Sequence, residues 1–528
     1  MKFLFLFLWL AIISKKLSFW IWLWQLKEYH LGRFLAHFQT AKGKELIINQ
    51  LLTVKLFLIL GLFFYFPIFF PILILVYFLE TLFTFRHLLK RTFKFPVFTK
   101  KALFLLFFGF CLIVLIFGSF WKKPLSEFTI FLLISDILAL GIFSGLVLFF
   151  QPLTFFWQRI IIQKAKRKRE KFKDLISIGI TGSYGKTSTK EFLAEILSEK
   201  YKVLKTKEHQ NSEVGISLCI LKELKPEHHV FVCEMGAYQR GGIRLLSSIV
   251  KPKIGILTGL NEQHMATFGS QENIIKTKFE LIESLPNNGL AIFNGNDKNC
   301  HELYNRRSDV RKLEIGARRR NKLDIWAENI AVEKESLSFK VFCRDGEEAD
   351  FKLNLIGTQN VENILLAACC AKELGMNLKE IAGACQKIKP QEKTMKLKRG
   401  KGDITIIDDS YSANPQGVIS ALDYLKIYSG KKIIIIPCLI ELGPASKEVH
   451  KRIGEKIGQV CDLAIITTED RFKEIKEEAI GKGMKEENIL FIENPKKIFE
   501  KVREFSNEDD VILLEGRIPN QLLNLLIR

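Results

Sequence analysis

The chain lacks the usual chemistry of a small secreted or metal-stapled protein. Its ten cysteines include no C-x-x-C pair and have no histidine at metal-ligand spacing, which excludes a zinc centre and a disulfide framework and leaves reduced thiols. There is no low-complexity linker and no internal repeat. The first apolar stretch, residues 3–24, lacks the features of a cleaved signal peptide, because its n-region has one lysine and no small-residue cleavage site follows. It is expected to stay attached. Charge is missing altogether from residues 56–79, a run of 24 positions.

What is present is unevenly spread. The 528 residues are 48% apolar with 44 Phe, and most of the aromatic excess falls before residue 160, so the two parts of the chain are read as living in different solvents. Residues 103–120 and 128–150 are each long enough to cross ~30 Å of hydrocarbon as a helix. Residues 56–79 read as a third span that Pro67 and Pro71 kink without forbidding. Residues 3–24 either span, at the cost of Lys15 and Lys16 in mid-bilayer, or lie in the interface with Trp20, Trp22 and Trp24 at head-group depth. Asp136 falls near the middle of the last span, where a carboxylate either serves a function or bonds a neighbouring helix.

Net charge is +21, which on a soluble domain would point to nucleic acid. Here the densest block, KAKRKREKFK at residues 164–173, follows the last apolar run, with seven Lys or Arg in ten positions. That is the positive-inside flank of a membrane protein, and nucleic-acid binding is set aside. Arg86, Lys90, Arg91, Lys94, Lys100 and Lys101 mark a second cytoplasmic loop. The reading is a multi-pass cytoplasmic-membrane protein whose soluble part sits in the cytoplasm, where ATP is.

From residue 174 onward short β-branched runs alternate with helical patterns of ten to fifteen residues, the signature of βαβ units. Strands are expected at 175–180, 230–233, 254–258 and 290–294, then at 403–408, 432–436, 463–467, 489–492 and 510–514, giving two α/β domains joined near 388–400. Between the first strand and a helix stands TGSYGKTS, residues 181–188. Gly182 and Gly185 let backbone N–H groups turn toward an anion, with Ser183, Tyr184 and Ser188 in the same loop; Lys186 would reach terminal phosphates and Thr187 would hold Mg²⁺. The usual longer loop needs glycine at position 180, which is Ile180. Glu234 ends a strand run, at the edge where α/β sheets bind ligands, and a carboxylate there completes a Mg²⁺ shell.

TGSYGKTSTKE, EMGA, GLNEQHMATFGSQENIIKTKFELIESLP, IFNGND and DDSYSANP together resemble the Mur ligases of peptidoglycan synthesis, and DDSYSANP followed by ELGPASKEVH resembles the branch that adds D-alanyl-D-alanine to a UDP-muramoyl tripeptide. The expected fold is therefore a helical membrane region over residues 1–160 (three to four spans) and a basic linker at 161–173, read from hydropathy and charge, followed, as the resemblance implies, by a phosphate-loop Mur-ligase central domain at 174–390 and a Rossmann-like ligase domain at 391–528. The resemblance also implies an ATP-dependent amide-bond ligase working through an acyl phosphate, with two Mg²⁺ ions. By position, Thr187 and Glu234 would hold the first ion and His264 would contact the second. Lys278 matches a lysine that many members carry as a carbamate; the alternatives are a cationic Lys278 that binds phosphate, or Lys276 in its place. Asn294, Asp297, Asn363 and Asp409 match ATP-side positions, and Asn211, Ser410, Tyr411 and Asn414 match substrate-side ones. The implied partners are a peptide or lipid-linked muropeptide acceptor and an amino acid or dipeptide.

The chain departs from the family pattern at four places. Gln359 stands where the family has His, with Asn360 and Asn363 kept. Lys393, Thr394 and Met395 replace an Arg-Met pair, and Glu515 stands where a lysine is common. The family's soluble domain that grips the UDP-sugar is replaced by the apolar residues 1–160, which suggests a lipid-linked acceptor. Rival readings are a poly-γ-glutamate synthase-like ligase and an ATP-switched membrane transporter or scaffold.

Overall fold

The computed structural model describes every residue except 91, 209, 308, 318–322, 391–394, 412 and 528; Lys393 and Thr394 of the domain junction therefore lie outside the described residues. The chain divides into two compact units, Met1–Gln158 and Arg159–Arg528.

The first unit is helical. Its apolar stretches have no internal polar partners for their backbone other than those of a helix, and four helical stretches are long and apolar enough to cross a membrane. The helix Lys2–Leu26 buries Phe5, Trp9, Ile12, Leu17 and Trp24 in the middle of the bundle, and Trp9 Nε1 donates to the Leu132 carbonyl at 2.8 Å. The last apolar run is two helices, Leu125–Ile137 and Ala139–Phe149, parted at Leu138.

The single kinked span expected over residues 56–79 is instead folded back on itself. The helical run Gln50–Leu89 is broken at Tyr65, whose φ of −139° and ψ of 63° are not helical, and Pro67 removes the N–H that would carry the ladder across. Lys55 Nζ lies 2.6 Å from Glu80 Oε2, although 25 residues of straight helix would separate them by roughly 37 Å. Phe57 and Phe69 meet with ring centroids 6.1 Å apart. Near the turn Gly61 leaves room for the returning half, since a Cβ there would fall 2.4 Å from the Phe69 ring.

Several charges inside this bundle are paired. Asp136 receives Lys16 at 2.7 Å, Lys55 at 2.6 Å and the Tyr77 hydroxyl at 2.9 Å. Of the residues that looked costly in sequence, Lys16 and Asp136 are thus each other's partners, and Lys55 joins them to Glu80.

The second unit carries two sheets. The larger has strands β1 Ile176–Thr181, β2 Val203–Lys205, β3 Val230–Glu234, β4 Ile254–Leu257, β5 Leu290–Asn294, β6 Arg311–Gly316, β7 Ile325–Val332, β8 Leu337–Cys343 and β9 Glu348–Leu353. Their order is β2-β3-β1-β4-β5-β6-β7-β8-β9, parallel through β7 and antiparallel from β7 to β9. The smaller has β10 Lys396–Arg399, β11 Thr405–Asp409, β12 Lys432–Ile436, β13 Leu463–Ile466, β14 Ile489–Phe491 and β15 Val511–Glu515, in the order β10-β11-β15-β12-β13-β14 with only β10 antiparallel. The central parallel strands, such as β3, β4, β5, β13 and β15, are buried along their whole length and are mostly apolar, as helices on both sides require. The antiparallel β8 alternates buried and half-buried residues, the period-2 pattern of a sheet with one wet face. The expected strands lie within two residues of nine of these; β2, β6 to β9 and β10 were not expected.

Candidate active site

The site grows from the carboxyl ends of β1, β3, β4 and β5. After β1 the chain turns at Gly182, where a Cβ would fall 2.2 Å from Thr258 Oγ1, and at Gly185, which sits at φ +77° with no room for a Cβ beside Asn363 Oδ1. Gly185 caps the helix Lys186–Ser198, so its first N–H groups and its positive end face the loop. Ile180 is a fully buried strand residue. The loop begins at Gly182, which explains why no glycine is needed at position 180.

Thr187 Oγ1 donates to Glu234 Oε2 at 3.0 Å, and Asn211 Nδ2 donates to the other oxygen at 3.2 Å. Lys186 Nζ has the Ser183 carbonyl at 3.0 Å and no ion pair among the described residues; burial holds its pKa below the ordinary lysine range. Lys278 is similar. Among the described residues its ammonium has the Ala237 carbonyl at 3.5 Å and the Phe268 ring, 5.9 Å away, but no ion pair, and burial, with the Lys186 charge second, lowers its pKa to about 7. Lys190, which sequence reasoning passed over, is fully buried beneath the loop with Glu191 at 2.9 Å and Glu234 at 3.6 Å.

His264 stands at φ +65° before a short helix. Its Nδ1 meets Glu441 Oε2 at 2.7 Å, and burial holds the imidazole below its ordinary pKa. Glu441 belongs to the C-terminal domain, in the ELGPASKEVH stretch, and its carbonyl accepts from the Ala266 N–H at 3.0 Å. Asn261 to Asn414 at 3.2 Å and Arg452 to Glu262 at 3.0 Å join the same two domains. The site is therefore built between them. The signal that could have found Glu441 is its position in a motif already singled out.

One cavity of about 1190 Å³ occupies this space, and the loop from Gly182 to Ser188 lines it together with Asn211, Glu234, His264, Lys278, Asn363, Asp409, Tyr411 and Asn414. Three other candidates lie outside the lining. Asn294 is fully buried and donates to the Thr258 carbonyl at 2.7 Å and to Glu362 at 2.8 Å. Asp297 accepts from the Tyr184 hydroxyl at 3.0 Å and the Leu260 N–H at 3.1 Å, so both brace the wall from behind. The Ser410 N–H donates to Asp408 at 3.1 Å. Lys276 is tied to Glu272 at 2.6 Å on the half-exposed face of its helix, which takes it out of competition with Lys278. Gln359, Asn360 and Met395 also line the cavity.

Comparison with known proteins gives the following. Residues 180–371 match the Mur ligase middle domain and residues 395–518 match the domain described as Mur ligase, glutamate ligase domain. The chain is 27% identical over 342 residues to the UDP-N-acetylmuramoyl-tripeptide–D-alanyl-D-alanine ligase of Bacillus subtilis, covering 64% of this chain and 72% of that one. It is 30% identical over 280 residues to the Escherichia coli ligase of the same name, covering 53% and 61%. The chain thus spans about three fifths of the length of the Escherichia coli relative. Among solved structures, MurF of Thermotoga maritima in complex with ADP aligns with a TM-score of 0.61 at 26% identity, over 70% of this chain and 83% of that one. MurF of Acinetobacter baumannii shares the fold with a TM-score of 0.63 at 24% identity, over 70% and 80%.

Proposed function

We propose that this chain, which belongs to the Mur ligase family through residues 180–371 and 395–518, is an ATP-dependent carbon–nitrogen ligase. It joins D-alanyl-D-alanine to the carboxylate of a peptidoglycan-type peptide precursor, the activity in the names of its relatives. One observation carries this reading. A phosphate loop, an oxygen pair suited to a divalent cation and two buried ammonium groups without carboxylate partners meet on one cavity that the C-terminal domain closes.

In the reaction an acceptor carboxylate oxygen attacks the γ-phosphorus of ATP, the bond to the bridging oxygen breaks, and ADP leaves. The amine then attacks the acyl phosphate carbonyl, phosphate leaves, and the amine proton is lost. Phosphoryl transfer needs alignment and charge neutralisation more than covalent help. Lys186 and the N–H groups of the Lys186–Ser198 helix bind and orient the phosphates, and Asp297 holds Tyr184 so that the loop keeps its shape. Glu441 fixes the imidazole of His264. Closure of the two domains over the cavity excludes water that would hydrolyse the acyl phosphate.

The residues present fit Mg²⁺. Thr187 and Glu234 offer two oxygens side by side, the donors a hard cation takes, and the ion would neutralise charge on the transferring phosphoryl group. At a second site His264 would offer the ring nitrogen that Glu441 leaves free, the arrangement common to metal-bound histidines. Lys278 fits two roles. As a cation it binds phosphate; as a neutral amine, the form a pKa of about 7 makes abundant, it takes up CO₂ to give an anionic carbamate.

We further propose that the first unit lies in the cytoplasmic membrane with the ligase domains in the cytoplasm, and that the acceptor is lipid-linked. Its support is the four long apolar helices and large apolar side chains such as Phe57, Phe63, Phe107 and Phe149 that are more than half exposed. The test is amide formation by the full chain in membranes with ATP and D-alanyl-D-alanine. Product is expected from a lipid-linked muropeptide and lost in Lys186→Ala. Equal product from the soluble UDP-linked peptide sinks the lipid-linked part, and ATP hydrolysis without amide from either acceptor sinks the ligase.

A further inference from the structure

β11 and β15 run parallel side by side, and their register sets Asp409 opposite Glu515 at the carboxyl ends of both strands. Asp409 lines the cavity. Glu515 is fully buried, and among the described residues neither of its side-chain oxygens has a hydrogen bond of ordinary geometry; what it meets is the Asp409 carboxyl, with the Gly516 N–H as a weak donor beside it. Among the described residues no cation stands between them. From β10 comes Lys398, but it is bound to Asp408 at 2.5 Å; from β12 come only Ile435 and Ile436, with Pro437 beside Gly516; Arg517 is exposed. Two ionised carboxylates here would leave acceptors facing acceptors in a buried site, which a single shared proton relieves.

We propose, resting on the ligase reading above, that Glu515 is a positioning residue that keeps one proton on the Asp409–Glu515 pair. It donates that proton to the inner oxygen of Asp409, and the outer oxygen is held as acceptor for a donor in the cavity, either a ribose hydroxyl of the nucleotide or the ammonium of the incoming amino component. Burial, with Asp408 second, raises Asp409 to about 6, and burial holds Glu515 well above the ordinary carboxylate range. The direction is that of a proton resident on Glu515 at neutral pH. Below about 6 the pair takes a second proton and the acceptor is lost.

The test measures Mg·ATP binding, and separately the KM for D-alanyl-D-alanine, across pH 5 to 8 with the full chain. The native protein is expected to lose affinity for one of the two as pH falls through about 6. Glu515→Gln, which still donates a hydrogen bond to Asp409, keeps that loss near the native pH, while Glu515→Leu, which donates none, moves it upward and weakens the same ligand several-fold at pH 7.5. An effect on ATP assigns the ribose, and one on KM assigns the ammonium. Infrared absorption of a protonated carboxyl at neutral pH, absent in Glu515→Gln, is the readout that survives if a variant folds poorly. A Glu515→Leu profile identical to that of the native chain overturns the proposal. Failure of ATP to bind the native chain at any pH strikes at the ligase reading instead.

A different observation carries a second inference, which rests on the membrane reading of the first unit. Gln25, at the end of the first helix, donates to the Val97 carbonyl at 2.9 Å and accepts from the Val97 N–H at 2.7 Å. At the other end Lys2 donates to the carbonyls of Trp121 and Lys123. The chain leaving residue 26 and the chain following residue 90 are thus at one end of the bundle, and the turn at 121–124 is at the other. Were Gln50–Leu89 a crossing, the segment 27–48, with Lys27, Arg33, Lys42 and Lys44, would lie opposite the basic segment 86–101. We infer that Gln50–Leu89 is a re-entrant hairpin with both ends in the cytoplasm, clamped by Lys55, Glu80 and Asp136. The unit crosses three times, and the larger basic segments, 27–44, 86–101 and 159–173, then share one side, with only Lys2, Lys122 and Lys123 at the other, the bias the positive-inside rule asks for.

The test has two arms. In a Cys111→Ser background, chosen because Cys111 is the one cysteine not fully buried, Phe57→Cys with Phe69→Cys is expected to form an intrachain disulfide under mild oxidation. Lys44→Cys and Lys94→Cys are expected to react with an impermeant maleimide in inverted vesicles only, and Lys122→Cys in intact cells only. Opposite sidedness of Lys44→Cys and Lys94→Cys, or no disulfide, overturns the hairpin. Extraction of the native chain from membranes by alkaline carbonate overturns the membrane reading instead.

Discussion

Both units bury lysines, and they treat them in opposite ways. In the helical unit Lys16 and Lys55 each reach a carboxylate at 2.6 to 2.7 Å. In the ligase site Lys186 and Lys278 have carbonyls, at 3.0 and 3.5 Å, and no ion pair among the described residues, while Lys190 just beneath them is paired with two glutamates. Burying a charge without a partner is costly, and a site tolerates it when a ligand supplies the partner. The paired lysines are staples, and in the function proposed above the unpaired ones are left for phosphate.

The largest break in that contrast should come from Lys186→Ala. Amide formation is expected to fall on the order of 10²- to 10³-fold, the scale of losing one charge-stabilising group, with thermal stability unchanged or slightly raised because an uncompensated cation has gone. A drop in melting temperature matching the loss of activity would show that Lys186 is a staple after all. The reverse is expected of Lys55→Met. Removing one partner of a buried pair costs about 3–5 kcal/mol, so the melting temperature in detergent should fall sharply, and the double variant Lys55→Met/Asp136→Leu should recover part of it. Additive losses would mean that the pair is not coupled.

Lys278 sharpens the contrast through pH. Its folded pKa of about 7 lies below the unfolded value, so the penalty for burying the cation is full below pH 7 and fades as pH rises from 7 toward about 10.5. In CO₂-free buffer Lys278→Met should therefore melt higher than the native chain at pH 6, with the gap closing by pH 10; a gap that widens with pH contradicts the unpaired-cation reading. The smallest effect is expected from Tyr184→Phe, which removes the bond to Asp297. It should cost about 1 kcal/mol of stability and raise the KM for ATP more than it lowers kcat, and equal loss in both would place Tyr184 at the reacting atoms.

Much of the site was legible because its chemistry is local in sequence. A β-branched run, two glycines, Lys-Thr and a helix declare a phosphate loop without any knowledge of the remaining chain, and Glu234 declares itself as a strand end. Asn294 and Asp297 were equally visible, yet both brace the wall, because which side of a strand end a short polar side chain turns to depends on Thr258, Tyr184 and Glu362 around it. Lys190 and Glu441 were hidden for the same reason. A helix lysine and a loop glutamate are ordinary surface residues until packing buries one and the domain junction brings the other to His264.

The amino-acid sequence by itself determined which segments are long and apolar, where nine of the strands run, and where the glycine loop meets its helix, since apolar pattern and turn chemistry act over neighbouring residues. Tertiary structure alone decided that residues 50–89 turn back, that Asp136 meets two lysines and that Glu515 faces Asp409. Hydropathy reports the solvent a segment prefers and says nothing of its direction, and the partner of a buried charge is chosen by contacts between residues 25 to more than 100 positions apart.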